Sequence, residues 1–424
     1  MRHRVVITGL GVVAPNAIGL EEFRKALREG KSGIRFIPEL ADLKFACQIG
    51  GVPENFTEVR ARYFDHEKLL SINDNIGYAS VAAVDAWRDA GFSLLEENGH
   101  VDWDTGAILG SGIGGMDTIA QQVVPMVKEG KTRRLGSRIV EQVMNSGTSA
   151  RVGGLLGLGN QVTSNSSACS TGTEAITDAF WRIRTGHAKR MLAGGSEGAS
   201  PFIWAGFDAM RVIARKYNDS PDKGSRPLSA SANGFVPGSG AAVLLLEDLD
   251  TALARGARIY CELIGGSVNS GGQRNGGSMT APNPEGVRRC IRQAIDDAGI
   301  TADDIDAING HLTATFADPS EVKSWSTALD RGPDRFPIIQ STKSMIGHCL
   351  GAAGAIESVA VAVQLQEGFL HPSTNCEDVH PEIEEFEGSI PKTTMEFPDL
   401  TIMAKSSFGF GDVNSCLIFK KWQP

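Results

Sequence analysis

The sequence predicts an α/β fold in which one order of strands and helices is used twice, once in residues 1–255 and again in residues 256–424. Three observations lead there. A chain of 424 residues exceeds what one ordinary core accommodates, so two domains or a duplicated unit is expected. Apolar stretches rich in β-branched residues alternate with amphipathic helical stretches along the whole length, the pattern of sheets covered by helices. The same series of elements recurs after the charged stretch 250–255, although few residues are shared between the halves.

Residues 4–13 (R-V-V-I-T-G-L-G-V-V) form the first strand. Their basic start and apolar run imitate a signal peptide, but Thr8, Gly9 and Gly11 interrupt the run and the valines favour a buried strand. A helix over 20–29 follows, then an irregular stretch to residue 75, then an alanine-rich buried helix over 76–90. Residues 107–112 are a short strand entering G-S-G-I-G-G-M, where Gly110, Gly112 and Gly115 have the spacing G-x-G-x-x-G. A ribose site needs an acidic residue about twenty positions on, at the end of a strand. Only Glu129 offers one, with Pro125 and Lys128 beside it, so a tight turn lining a pocket is the better reading. Small residues then deliver Cys169, with Ile176, Phe180 and Ile183 behind it at helical spacing. A strand over 188–195, a polar loop over 214–239 and a strand over 241–247 complete the front half. The rear half gives a strand over 258–267, a helix over 285–298 and a short strand over 305–310 that ends at His311. A helix with a small-residue entry follows over 351–367, and strands over 402–407 and 416–420 close the chain.

Composition narrows the function. A net charge of −9 leaves no dominant basic face and argues against general nucleic-acid binding. Seven scattered cysteines without a C-x-x-C pair suit a reducing, cytoplasmic setting and no disulfide framework. No apolar run approaches the ~20 residues of a membrane span. The eight histidines contain no H-x-x-x-H pair, which argues against a histidine-held metal, and no cofactor is expected.

The chemistry gathers on four segments. In S-N-S-S-A-C-S-T-G-T-E, a helix starting at Cys169 would aim N–H groups and its positive end at the sulfur, favouring the nucleophilic thiolate. Alone, that cysteine reads more readily as a buried structural thiol, which is what most free cysteines are. The rear half supplies partners: His311 and the threonines Thr313 and Thr315 in I-N-G-H-L-T-A-T, then Lys343, His348 and Glu357 in S-T-K-S-M-I-G-H-C-L-G-A-A-G-A-I-E. The fourth segment, K-S-S-F-G-F-G-D, is a glycine-aromatic turn whose N–H groups are free to face a ligand.

Taken in order, R-V-V-I-T-G-L-G, G-S-G-I-G-G, A-C-S-T-G, K-S-M-I-G-H-C-L-G-A-A-G and S-F-G-F-G resemble the elongating β-ketoacyl-acyl carrier protein synthases of the thiolase-like superfamily over essentially the whole chain. The resemblance implies a thiolase-like, duplicated five-layer α-β-α-β-α sandwich and a decarboxylative Claisen condensation. Cys169 would carry the acyl chain as a thioester, and His311 and His348 would hold the malonyl thioester carbonyl. Lys343 would pair with Glu357 and order the site. The backbone N–H groups of Cys169 and Phe410 would form an oxyanion hole, with Phe410 gating the acyl pocket beside Phe408. Thr280, Thr313 and Thr315 would contact the pantetheine arm, Ile113 would line the acyl tunnel, and Lys68 and Arg211 would hold the acidic carrier protein. A homodimer is expected, and a monovalent cation beside Glu357 and residues 406–412 is compatible with this set.

Several positions depart from the family pattern. Leu312 and Ala314 replace small residues and Phe316 replaces proline, which should narrow the pantetheine approach or shift the loop. Ser229, Ala232, Asn233 and Ser239 replace a charge network, Asp412 replaces a glycine of the gating turn, and Cys349 stands where serine or threonine is common. Two other readings remain: a polyketide-type synthase with the same residues, and a silent chain-length-factor-like partner. Retention of Cys169, His311, His348 and Lys343 together argues against the silent one.

Overall fold

A computed structural model describes residues 2–94 and 99–423. The front half supplies strands β1 (Val5–Ala14), β2 (Thr105–Gly110), β3 (Val162–Thr163), β4 (Arg190–Glu197) and β5 (Gly240–Asp248). Its principal helices are α1 (Asp74–Asp89), α2 (Gly147–Leu156) and α3 (Thr171–Arg184). The rear half supplies β6 (Cys261–Ser270), β7 (Ala307–Asn309), β8 (Ile338–Gln340), β9 (Ile402–Gly409) and β10 (Val413–Lys421), with α4 (Pro284–Ala298), α5 (Asp318–Leu329) and α6 (Ala353–Glu367).

All ten strands join one sheet in the order β8-β7-β9-β10-β6-β1-β5-β4-β2-β3, with the short strand Ala17–Ile18 added on β1. From the centre outward each side repeats the other: β1-β5-β4-β2-β3 against β6-β10-β9-β7-β8. The parallel and antiparallel pairings repeat as well, and the sides meet where β1 runs antiparallel to β6, Val5 opposite Leu263. Helices α1 and α2 cover the front side, α4 and α5 the rear side, and α3 and α6 pack on each other between the two. This is the helix–sheet–helix–sheet–helix layering of a thiolase-like fold.

The middle layer explains the small residues. Helix α6 buries every residue from Ala353 to Leu365, so it is enclosed on every side and mostly apolar, with Glu357, Ser358 and Gln364 as its buried polar side chains. A side chain at Gly172 would sit 2.7 Å from the backbone N of Ala355, and one at Gly354 would sit 2.1 Å from Thr173 Oγ1. The two helix starts approach so closely that only glycine fits at these contacts, and this brings the segments carrying Cys169 and His348 together. Beyond the expected elements, the stretch to residue 75 holds a small hairpin, Ile34–Phe36 against Ile49–Gly51, and several short helices. Strand β6 starts at Cys261, three residues later than its sequence pattern indicates.

Candidate active site

One cavity, of about 110 Å³, collects Cys169, His311 and His348 with Thr280, Thr313, Thr315, Phe316, Phe408 and Phe410 along its wall. Cys169 sits in a single 3-10 turn, Ala168–Ser170, and helix α3 begins only at Thr171. Ala168 takes a left-handed φ of 48°, a strained bend that turns the cysteine into the cavity. Ser170 fastens the bend by donating to the carbonyls of Ser407 and Val413, each at 3.2 Å. The end of β9 passes so near that a side chain at Gly409 would come within 3.1 Å of the Cys169 backbone N.

Burial overturns the expected thiolate. It pushes the Cys169 thiol up to about 11, although the Lys343 charge and the Phe410 backbone N–H pull the other way. At neutral pH the resting group is therefore a thiol, and His348 Nε2 lies 3.0 Å from its sulfur, placed to take the proton. The His311 and His348 rings stand edge to face with centroids 5.4 Å apart. Burial, then the Lys343 charge, hold both imidazoles well below their ordinary value, so both are neutral. The sulfur and a nitrogen of each ring lie within 4.8 Å of one another, a spacing a soft metal could also use and one the sequence pattern did not show.

Behind the histidines Lys343 and Glu357 are bonded directly, both essentially without exposure, as expected. A second lysine was not anticipated: Lys405 Nζ lies 2.8 Å from the other oxygen of Glu357, also fully buried. Three carboxylates were missed too. Glu321 accepts from the backbone N–H groups of His311 (2.6 Å) and Leu312 (2.8 Å), fixing the first histidine, and burial raises it to about 7. Asp318 accepts from the N–H groups of Leu228, Thr313, Ala314 and Thr315, and burial raises it as well. Glu197 accepts from the N–H groups of Gly112 (2.9 Å), Ile113 (3.2 Å) and Gly351 (3.0 Å).

The departures from the family pattern resolve as follows. Leu312 and Ala314 take positive φ values of 22° and 64° and are fully buried; neither lines the cavity, so they do not narrow it. Leu312 packs instead with Trp325 and Ile308 in the rear core. Phe316 alone of the three stands at the mouth, 79% exposed. The serine-rich loop is tied down after all, with Asp378 accepting from Ser229 and Ser231 and pairing with Arg226 at 3.0 Å. Asp412 takes a left-handed φ of 62° and is buried, its carboxylate accepting from the N–H groups of Gln273 and Asn283, each at 2.8 Å. It thereby pins the loop carrying Thr280 onto the Phe408–Phe410 turn, with Gly411 donating to the Met279 carbonyl at 2.8 Å.

The outlying residues divide. Arg211 is exposed, in a left-handed conformation (φ 61°), next to Val212 on the cavity wall. Lys68 lines a separate cleft with Glu141, Met144 and Arg151, 3.4 Å from Asp65, and does not reach the cavity. Ile113 packs beside Met116 and Phe207 and is not on the cavity wall; Phe207 meets the Phe410 ring with centroids 6.1 Å apart.

Residues 2–252 match the family described as Beta-ketoacyl synthase, N-terminal domain, and residues 260–377 match its C-terminal domain. The chain belongs to the β-ketoacyl synthase family. The synthase is 34% identical over 437 residues to a putative mitochondrial 3-oxoacyl-[acyl-carrier-protein] synthase of Schizosaccharomyces pombe, covering 99% of each chain. It is 34% identical over 424 residues to 3-oxoacyl-[acyl-carrier-protein] synthase 2 of Vibrio harveyi, again covering 99% of each. Among solved structures it superposes on a β-ketoacyl synthase from Burkholderia phymatum with a TM-score of 0.90 at 29% identity, over 99% and 100% of the two chains. The polyketide ketosynthase of AntDE:AntF, solved with its acyl-carrier protein, gives 0.87 at 27% identity over the full length of both. Among the described residues of the synthase no helix is long and apolar enough to cross a membrane.

Proposed function

We propose that this synthase joins an acyl group to malonyl-acyl carrier protein, giving 3-oxoacyl-acyl carrier protein and CO₂ in acyl-chain elongation. The observation that carries the reading is the Cys169 sulfur 3.0 Å from His348 with the neutral His311 ring alongside, in one cavity. In the first half-reaction the thiol passes its proton to His348 and attacks the acyl thioester. The new C–S bond replaces the bond to the carrier thiol, which leaves with the proton. The transient oxyanion is held by the N–H groups of Cys169 and Phe410. In the second, malonyl thioester sits with its carbonyl against the two imidazoles, and loss of CO₂ leaves an enolate that their N–H groups stabilise. Fixed donors of this kind are worth about 3 kcal/mol each. The enolate carbon attacks the acyl thioester, and Cys169 leaves as a thiolate that is then reprotonated.

Lys343 and Glu357 order the site, and Phe410 closes the acyl side towards Ile113. Thr280, Thr313, Thr315 and Phe408 line the arm and substrate space. Arg211 beside the cavity wall and Lys68 in a separate cleft serve the acidic carrier protein. The reading divides the chain into residues 1–255 with the nucleophile and 256–424 with the histidines, which the repeated strand order supports. It takes the active form as a homodimer, with Val124, Val127, Val140 and Met144 among the exposed apolar side chains that such a contact could cover. Seven free cysteines suit a reducing compartment such as the cytoplasm. A polyketide-type chain is the second reading, supported by the likeness to the AntDE:AntF ketosynthase, and uses the same residues.

Incubation with acyl carrier thioester should leave an acyl adduct, read by intact mass, that is absent in Cys169→Ala. Release of CO₂ from malonyl carrier protein should be lost in His311→Ala and His348→Ala. Unchanged release in both variants overturns the histidine roles.

A further inference from the structure

Lys405 takes no part in the steps above, yet it is a fully buried lysine on strand β9, which leads into the turn at Phe410–Asp412. Its nitrogen is surrounded by oxygen: Glu357 Oε2 at 2.8 Å, Ser407 Oγ at 3.0 Å and the Ser406 carbonyl in direct contact. Lys343 already occupies the other oxygen of Glu357. One lysine would make the buried pair neutral; the second leaves the cluster with excess positive charge, which a protein interior tolerates only where several acceptors surround it. An all-oxygen shell around a single positive charge is also how a hard cation is held.

We propose that Lys405 is a positioning residue acting as a built-in cation: its ammonium holds Glu357 and the Phe408–Phe410 turn in place, so that the synthase needs no bound monovalent ion. The proposal rests on the condensing reading for its link to turnover, not for the assignment of the charge. The groups facing Lys405 are Glu357 on α6, Lys343 before it, Glu321 on α5, and Cys416 on β10, with His311 and His348 within range of its field. Burial, the largest influence, lowers Lys405 from its ordinary value with help from the Lys343 charge, while the Glu357 carboxylate opposes this and favours the charged form. The retained charge acts on both imidazoles in the direction that keeps them neutral. It also ties β9 to α6, and so sets where the Phe410 N–H stands relative to the sulfur.

The test compares the full-length protein with Lys405→Ala and Lys405→Met in tetramethylammonium buffer, then with potassium or ammonium ions at matched ionic strength. Two readouts are taken: melting temperature, and CO₂ release from malonyl carrier protein. The native protein should be indifferent to potassium in both. Lys405→Ala should melt lower and release CO₂ about a hundredfold more slowly, and potassium or ammonium should recover much of both losses by filling the vacated oxygen shell. Lys405→Met, whose stem occupies the space without a charge, should stay low throughout. A native protein whose melting or turnover rises with potassium overturns the proposal. So does a Lys405→Ala variant that no small cation rescues, or a Lys405→Met variant that behaves as native. If the melting pattern holds while the native protein releases no CO₂, the cation assignment stands and the condensing reading falls.

Discussion

Replacing Asp412 with glycine, the residue the family pattern places there, isolates what its carboxylate does. Two backbone N–H groups lose a charged acceptor at 2.8 Å. Bonds to charged groups contribute about 1.5–3 kcal/mol each, less where water can substitute. Asn283 is buried and belongs at the upper end, whereas water takes over the bond of exposed Gln273 and nearly cancels its loss, so about 3 kcal/mol is lost. Glycine returns about 1 kcal/mol, because the left-handed φ of 62° costs aspartate and not glycine. The net, about 2 kcal/mol, corresponds to roughly a thirtyfold rise in the open population of the loop over 271–283. The informative probe is not either amide bonded to Asp412 itself but the Gly411 N–H, whose bond to the Met279 carbonyl survives only while the loop stays docked. Its hydrogen exchange should accelerate about thirtyfold, with the amides of β1 and β5 unchanged. A Gly411 amide exchanging at its original rate in a folded Asp412→Gly protein would refute the pinning argument.

Three further outcomes follow from the same geometry. Alkylation of Cys169 should climb with pH towards its raised value of about 11, since burial opposes the thiolate; a plateau below pH ~8 would show an activated sulfur instead. Both imidazoles are held well below 6.5 and act in neutral form, which is lost only as pH falls through the lowered value. CO₂ release should therefore stay level as pH drops past that ordinary value, and a break near 6.5 would contradict it. Leu312→Gly relieves a strained φ but empties a fully buried position, for which core truncations cost about 3–5 kcal/mol; its melting temperature should fall, and a rise would mean strain outweighs packing at that loop.

Much of the site was legible because its reactive groups lie in short segments with local signatures. Cys169 sits in a small-residue run before a helix, His311 at a strand end, and Lys343, His348 and Glu357 within one stretch of fifteen residues from 343 to 357. The duplicated strand order was legible for the same reason, since apolar runs such as those of β1 and β5 announce themselves. What escaped was whatever depends on distant partners. Glu197 meets Gly351 across 154 positions, and nothing near it marks a buried carboxylate. Lys405 did leave a trace: a lysine inside the apolar run I-M-A-K is a charge in a buried strand and demands a counter-charge. The state of the thiol could not be read at all, because desolvation is a property of the packed surroundings. The Leu312 expectation failed on direction, since a positive φ turns its side chain into the core.

The Glu197 carboxylate gathers N–H groups from the Gly112–Ile113 turn of the front repeat and from Gly351 just ahead of the helix that bears Glu357. The acyl-side turn and the ordering helix are thus hung from one keystone. On the proposed placing of Ile113 at the acyl side, substitutions there will drag on the charge cluster behind the histidines, so selectivity and turnover should prove hard to engineer apart.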